Sequence, residues 1–207
     1  MTEYEFRVCP RDATPIIEVP TSPPQAGDHV DGRYLIKEQI SEGGTSIVYA
    51  AEDVFDGVQA DVKVLRHELL EVPTLVRHFF DEALFNRKIQ HLGVLPIRDF
   101  GLSQEGRHFL AMERIEGERF DEAIRARRAE NKAFDFGHVI NLARQILNIL
   151  DAVHGEGIVH LDLKPENLLL LEGQRVMLFD FGNALQMGTT LPPEVPFMGT
   201  PSYMAPE

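Results

Sequence analysis

The sequence contains a single cysteine, Cys9, among 207 residues. No internal disulfide can therefore form, which suits a reducing compartment such as the cytosol. Long apolar runs are missing too: none approaches the ~18 residues that a membrane-spanning helix needs. The opening Met1-Thr2-Glu3-Tyr4-Glu5 has neither the basic nor the apolar stretch of a signal peptide. The reading is a cytoplasmic protein with no membrane span in this chain. Positive charge is scarce as well, with 20 Lys and Arg against 33 Asp and Glu and a net charge of -13. That balance argues against a nucleic-acid partner, whose phosphates need a basic face. It leaves nucleotide binding open, because a nucleotide is held by local donors and metal ions.

What remains is ordinary for a globular domain, with 43% hydrophobic and 26% charged residues, and the length allows a sizeable core. Residues 1–28 carry Pro10, Pro15, Pro20, Pro23, Pro24 and Gly27, a density that opposes helix or interior strand, so they read as an extended leader. Within it, Cys9-Pro10-Arg11-Asp12 resembles one arm of a small zinc ribbon. Such a ribbon takes about four Cys or His ligands, and His29 is far off, so the expectation is a solvated tail without metal. From Tyr34 the pattern changes. Residues 34–40 and 46–51 read as strands joined by the glycine-containing turn Glu42-Gly43-Gly44-Thr45, and residues 58–65 as a third strand. Residues 74–92 read as a charged helix with Leu75, Phe79, Leu84 and Ile89 as its apolar contacts. Residues 97–101 and 108–112 form two more strands around a hairpin turn at Ser103-Gln104-Glu105-Gly106. Beyond Gly117 the chain turns helical. Val139, Ile140, Leu142, Ala143, Ile146, Leu147, Ile149, Leu150 and Val153 recur at helical spacing, as in a mostly buried helix, which stops at Gly155-Glu156-Gly157. Strands first and helices second make an α+β arrangement in two lobes.

The chemistry concentrates in His160-Leu161-Asp162-Leu163-Lys164-Pro165-Glu166-Asn167 and Phe179-Asp180-Phe181-Gly182. Asp162, Asn167 and Asp180 put one base and two oxygen ligands on adjacent loops. Phosphoryl transfer needs such a set: a carboxylate to orient the attacking hydroxyl, and oxygens to hold magnesium on the nucleotide. These blocks resemble the catalytic and metal-binding loops of eukaryotic-like (Hanks-type) serine/threonine protein kinases of bacterial style, and the resemblance runs from about Tyr34 to Glu207. It implies a two-lobed kinase-like fold: an ATP-binding lobe over residues 29–116, with an antiparallel sheet and one helix, and a partial, helical second lobe over residues 117–207. It implies ATP and Mg2+ as cofactors and a protein with serine or threonine as substrate. Asp162 would be the catalytic base, Lys164 would contact the γ-phosphate, and Asn167 and Asp180 would bind magnesium. Lys63 would contact the α- and β-phosphates and pair with Glu82. Ser41, Gly43 and Gly44 form the glycine-rich loop, Val48 and Leu169 sandwich the base, Met112 is the gatekeeper and Glu113 to Ile115 the hinge. Gly199-Thr200-Pro201-Ser202-Tyr203-Met204-Ala205-Pro206-Glu207 resembles the end of an activation segment, which small-molecule phosphotransferases lack.

The resemblance has departures. Ser41 and Ser46 replace two glycines of the loop, and Asp61 replaces the alanine that touches adenine. At ~8 Å and an effective dielectric of ~20, that carboxylate would repel a phosphate charge by roughly 2 kcal/mol. Leu161 replaces the arginine that receives an activation-loop phosphate. Asn86 sits where an apolar residue stacks in the family, and a polar group there needs a partner. The helices that follow Glu207 in the family are not in this sequence, so the expectation is a fragment or a chain completed by a partner, feeble in catalysis by itself. A pseudokinase that binds nucleotide weakly and acts as a scaffold stands as the alternative.

Overall fold

The computed structural model of the chain describes residues 7–8, 15–16, 20–189 and 199–204. The zinc-ribbon question at Cys9, and the stretch from Thr190 to Met198, lie outside them. The chain divides into two units: Met1–Arg77 with Arg98–Arg114, and His78–Ile97 with Ile115–Glu207.

In the first unit, β1 (Arg7–Val8) and β2 (Pro15–Ile16) pair antiparallel as a two-stranded sheet of their own. The main sheet follows: β3 (His29–Val30), β4 (Tyr34–Glu42), β5 (Ser46–Asp53) and β6 (Gln59–Leu65) come before the helix α1 (Pro73–Lys88), and β7 (Ile97–Leu102) and β8 (His108–Glu113) after it. Strand order is β3-β4-β5-β6-β8-β7. Side chains alternate across this sheet. Tyr34, Ile36, Ile47, Tyr49, Val62, Val64, Phe109 and Ala111 fill the core on one face. Val48, Lys63, Asp61 and Met112 therefore share the other. The end of the proline-rich leader is packed: Pro24 is buried, the amide of Gly27 donates to the carbonyl of Ile36 at 2.9 Å and that of Ile36 to the carbonyl of Asp28 at 2.8 Å. These bonds extend the sheet edge by two residues beyond β3.

In the second unit, β9 (Glu118–Arg119) leads into α2 (Phe120–Ala129) and α3 (Phe136–Gly155). Asp135 caps α3 by accepting from the amide of His138 at 3.2 Å. The helix ends as the sequence predicts, with Gly157 at φ 69° just beyond it, a backbone region that glycine enters without a Cβ clash. Short strands β10 (Ile158–Val159), β11 (Leu168–Leu171), β12 (Arg175–Leu178) and β13 (Leu185–Gln186) follow. Strand β11 pairs with both β12 and β9, and β10 with β13. Leu142, Ile149, Val153, Ile158, Leu178 and Phe181 form the core of this unit.

Two helix readings need correction. Helix α3 buries one stripe only: Leu142, Ile149 and Val153 are inside, while Val139, Ile140 and Leu147 are exposed, Leu147 at 65%. Helix α1 stops at Lys88 and leaves Leu84 half-exposed. The reason lies in Asn86. Its Nδ2 donates to the carbonyl of Leu95 at 2.7 Å, and its Oδ1 accepts from the amide of Ile97 at 3.1 Å. The side chain thus draws the following segment back along the helix, and Asn86 is buried with its partners supplied.

Candidate active site

Each unit carries half of the residues singled out in the sequence. In the first, the strand register lines them up. Ser41 lies opposite Val48, Val48 opposite Lys63, and Lys63 opposite Leu110. The next row on the same face runs Ala50, Asp61, Met112. Ser41, Val48, Lys63 and Met112 are thereby gathered on one sheet face, with Asp61 between Lys63 and Met112. Gly43 and Gly44 form the tip between β4 and β5, closed by the amide of Gly43 donating to the carbonyl of Ser46 at 2.8 Å. A side chain at Gly44 would meet nothing within 4 Å, so this position leaves room for a ligand to approach the backbone. Arg66 braces the tip: its Nε donates to the carbonyl of Gly43 at 2.9 Å and its Nη2 to the carboxylate of Glu42.

Asp61 is less isolated than the sequence suggested. Arg114 Nη1 lies 3.6 Å from its Oδ1, close enough for attraction and too far for a hydrogen bond. Burial pushes the Asp61 carboxyl above the usual range, and Arg114 opposes that shift. Glu113 ends β8, and Ile115 is the first residue of the second unit after this strand.

In the second unit, the loop from His160 to Asn167 is held together by side chains. Asp162 is 7% exposed. Its Oδ2 accepts from Lys164 Nζ at 2.6 Å, and its Oδ1 accepts from the hydroxyl of Thr200 at 2.6 Å. The same hydroxyl accepts from Lys164 Nζ at 3.0 Å, closing a three-residue ring. Burial raises the Asp162 carboxyl, and the bonds from Lys164, Thr200 and Asn183 more than offset it, leaving the group below the usual carboxylate range. Asp162 is therefore a charged acceptor at neutral pH. Asn167 is buried and donates through Nδ2 to the carbonyl of Asp162 at 2.9 Å. With its nitrogen so engaged and no donor to its amide oxygen among the described residues, that oxygen is the end open to a hard cation.

His160 anchors the loop from below. Burial lowers its pKa, and the neutral ring accepts from the amide of Asp162 through Nδ1 at 3.3 Å. Its ring sits 4.9 Å from that of Phe181. Leu161 and Asp180 adopt φ of 63° and 64°, a strained region for such residues that costs about 1 kcal/mol or more each. Gly199 lets Thr200 reach the loop, because a Cβ there would stand 2.6 Å from the carbonyl oxygen of Leu161. Glu82 is buried on α1, and Leu169 lies on β11 between Arg119 and Met177. The sequence reading gave no role to the side chains of Thr200, Asn183 or Arg114. The one local mark of Thr200 is its place between Gly199, free to take φ 103°, and Pro201, whose own φ is fixed. The other two carry no such mark.

An antiparallel-sheet unit with a glycine-containing tip, followed by a unit that carries the Asp162-Lys164-Asn167 loop, is the arrangement that the resemblance to protein kinases implied. The comparisons with known proteins agree. The model of the protein kinase domain family matches residues 34–207, and the chain belongs to that family. The chain is 32% identical over 182 residues to a probable serine/threonine-protein kinase of Clostridium acetobutylicum, covering 87% of this chain and 27% of that protein. It is 31% identical over 189 residues to serine/threonine-protein kinase PknA of Mycobacterium tuberculosis, covering 89% and 43%. Among solved structures, the PknI kinase domain of M. tuberculosis matches with a TM-score of 0.65 at 22% identity, over 77% of this chain and 62% of that one. The fold is thus the α+β protein kinase fold, and the chain spans less than half the length of these curated relatives. Among the described residues no helix is long and apolar enough to cross a membrane, and no three His, Cys, Asp or Glu cluster to hold a metal ion.

Proposed function

We propose that this chain is the nucleotide-binding and phosphotransfer part of a serine/threonine protein kinase, acting in the cytoplasm on a protein substrate. The observation that carries the reading is the ionised Asp162, fixed by Lys164 and Thr200 beside Asn167, within a chain of the protein kinase family. In this reading the substrate hydroxyl gives its proton to Asp162 as its oxygen bonds to the γ-phosphorus of ATP. The bond from that phosphorus to the β-phosphate bridge breaks, and ADP leaves. Lys164, beside the same carboxylate, steadies the transferred group. Ser41, Gly43 and Gly44 cradle phosphates, Lys63 contacts them with Glu82 as its partner, and Val48 and Leu169 enclose the base. Met112 is the gatekeeper, with Glu113 to Ile115 as the hinge.

Asn167 and Asp180 would hold magnesium, and the free amide oxygen of Asn167 fits that task. A protein site for Mg2+ needs only one or two such oxygens, since phosphates and water complete the shell. When bound, the metal neutralises charge that develops on the phosphates.

A second reading, a pseudokinase acting as a weak nucleotide-binding scaffold, draws on Asp61, a buried carboxylate on the same sheet face as Lys63. One titration separates the two. Mg-ATP should raise the melting temperature by mass action, and Asp61→Ala should enlarge the shift. A melting curve unmoved by millimolar Mg-ATP in both proteins would defeat the nucleotide reading.

A further inference from the structure

The first unit has a second recess that the kinase reading does not use. It is a cavity of about 150 Å³ at the ends of β4, β5 and β6, roofed by Pro20, Pro23 and Pro24. Ile47 and Tyr49 reach it from the core face of the sheet, the one opposite Lys63. Ile47, Val64, Leu65 and Leu70 give it an apolar floor. A cavity of this size takes a single six-membered ring.

Its polar groups are poorly served. Tyr49 is 2% exposed, and its hydroxyl has no hydrogen-bond partner among the described residues. Burying a hydroxyl so is costly, and such groups generally find a partner in protein, water or ligand. His67 Nδ1, on the same wall, is likewise buried without a partner. Burial raises the Tyr49 pKa, so the hydroxyl stays protonated and is a donor at neutral pH. Arg107 supplies the charge. Its Nη1 donates to the carbonyl of Ser22 at 2.8 Å, a neutral acceptor, and Asp28 and Glu105 act on it only through longer-range attraction. The other cation, Arg66, is already taken by Glu42 and Gly43. Glu68, on the rim, is exposed.

A buried hydroxyl donor beside an arginine with no carboxylate partner among the described residues, over an apolar floor of one-ring size, selects for a particular ligand. We propose that this cavity binds a small aromatic carboxylate, its ring on Ile47, Val64, Leu65 and Leu70 and its carboxylate accepting from Tyr49 and Arg107. The inference rests on the first unit alone and stands whether or not the chain transfers phosphate.

The test is ligand-observed saturation-transfer NMR on the full chain, with benzoate as probe and benzyl alcohol as the neutral control of the same shape. Benzoate should bind with an affinity on the order of millimolar, as befits so small a ligand. Arg107→Gln and Tyr49→Phe should each weaken benzoate about tenfold, the scale of one hydrogen bond to a charged group. Benzyl alcohol should bind both variants as it binds the wild type. Tyr49→Phe removes only the hydroxyl and should melt no lower than the wild type, so its readout survives if Arg107→Gln fails to fold. Saturating Mg-ATP should leave the benzoate signal intact. Absence of benzoate binding, equal binding by wild type and Tyr49→Phe, or displacement by Mg-ATP would each overturn the proposal.

Discussion

Replacing Asn86 by leucine restores the apolar character that the kinase family has at this position, and it should destabilise the protein. Asn86 is 7% exposed and serves two backbone groups, the carbonyl of buried Leu95 and the amide of half-buried Ile97. Leucine serves neither. A buried polar group left without a partner costs about 1–3 kcal/mol, and Ile97, with some access to water, falls at the low end. The sum is roughly 2–4 kcal/mol. Some is returned by burying the leucine side chain, worth about 1.5–3 kcal/mol if it packs without strain. The shape of the site opposes that return, since the amide now lies flat against the 95–97 backbone at 2.7 and 3.1 Å and a branched side chain must push that backbone away. A net loss of about 1–3 kcal/mol should follow for Asn86→Leu, and more for Asn86→Ala, which adds a cavity. Urea unfolding gives the free energy, and amide exchange gives the location: protection at Ile97 should fall in both variants. A leucine variant as stable as the wild type, with Ile97 still protected, would refute the claim that this side chain holds the segment.

Two further perturbations probe the two halves separately. Thr200→Val removes the hydroxyl that bonds Asp162 and Lys164. Phosphate transfer should drop about tenfold, or ~1.4 kcal/mol in barrier, with the acid limb of the rate profile moving to higher pH because a bond favouring the charged carboxylate is lost; Thr200→Ser should restore both. In the first unit, Asp53 is fully buried and accepts from Arg33 at 2.6 and 2.9 Å, and the Arg33 bonds hold its carboxyl below the usual range. A lowered folded pKa contributes stability that is complete above the unfolded value of ~3.9 and lost as pH falls through the folded value. Asp53→Asn should therefore cost about 2 kcal/mol at neutral pH, discounted for the partly exposed Arg33, and flatten the acid-side loss measured by urea titration.

Much of this was readable from residue order. The main-sheet strands β4 to β8 and the stop of α3 at Gly157 follow from alternation and glycine placement, which are local signals. The same holds for the Asp162 loop, whose residues are close in sequence. What local signals missed is non-local. The end of α1 depends on Asn86 reaching Leu95 and Ile97, a match that periodicity cannot register. The exposure of Val139, Ile140 and Leu147 depends on which elements pack on α3. Thr200 bonding Asp162, and Arg114 answering Asp61, join positions far apart in the chain. The leader shows the same limit. Its prolines predict an extended segment, yet the burial of Pro24 depends on the sheet it meets.

The central claim, that Asp162 is the base of a phosphotransfer site, is tested most directly by transfer of radiolabelled γ-phosphate from Mg-ATP to a protein substrate. The assay compares the gene product that contains residues 34–207 with its Asp162→Asn variant, which preserves shape and removes the charge. Wild type should label serine and threonine, and Asp162→Asn should lose at least about a hundredfold in rate, the contribution of a positioned base, while its melting shift with Mg-ATP persists. Equal labelling by both proteins would contradict the account, as would label confined to tyrosine.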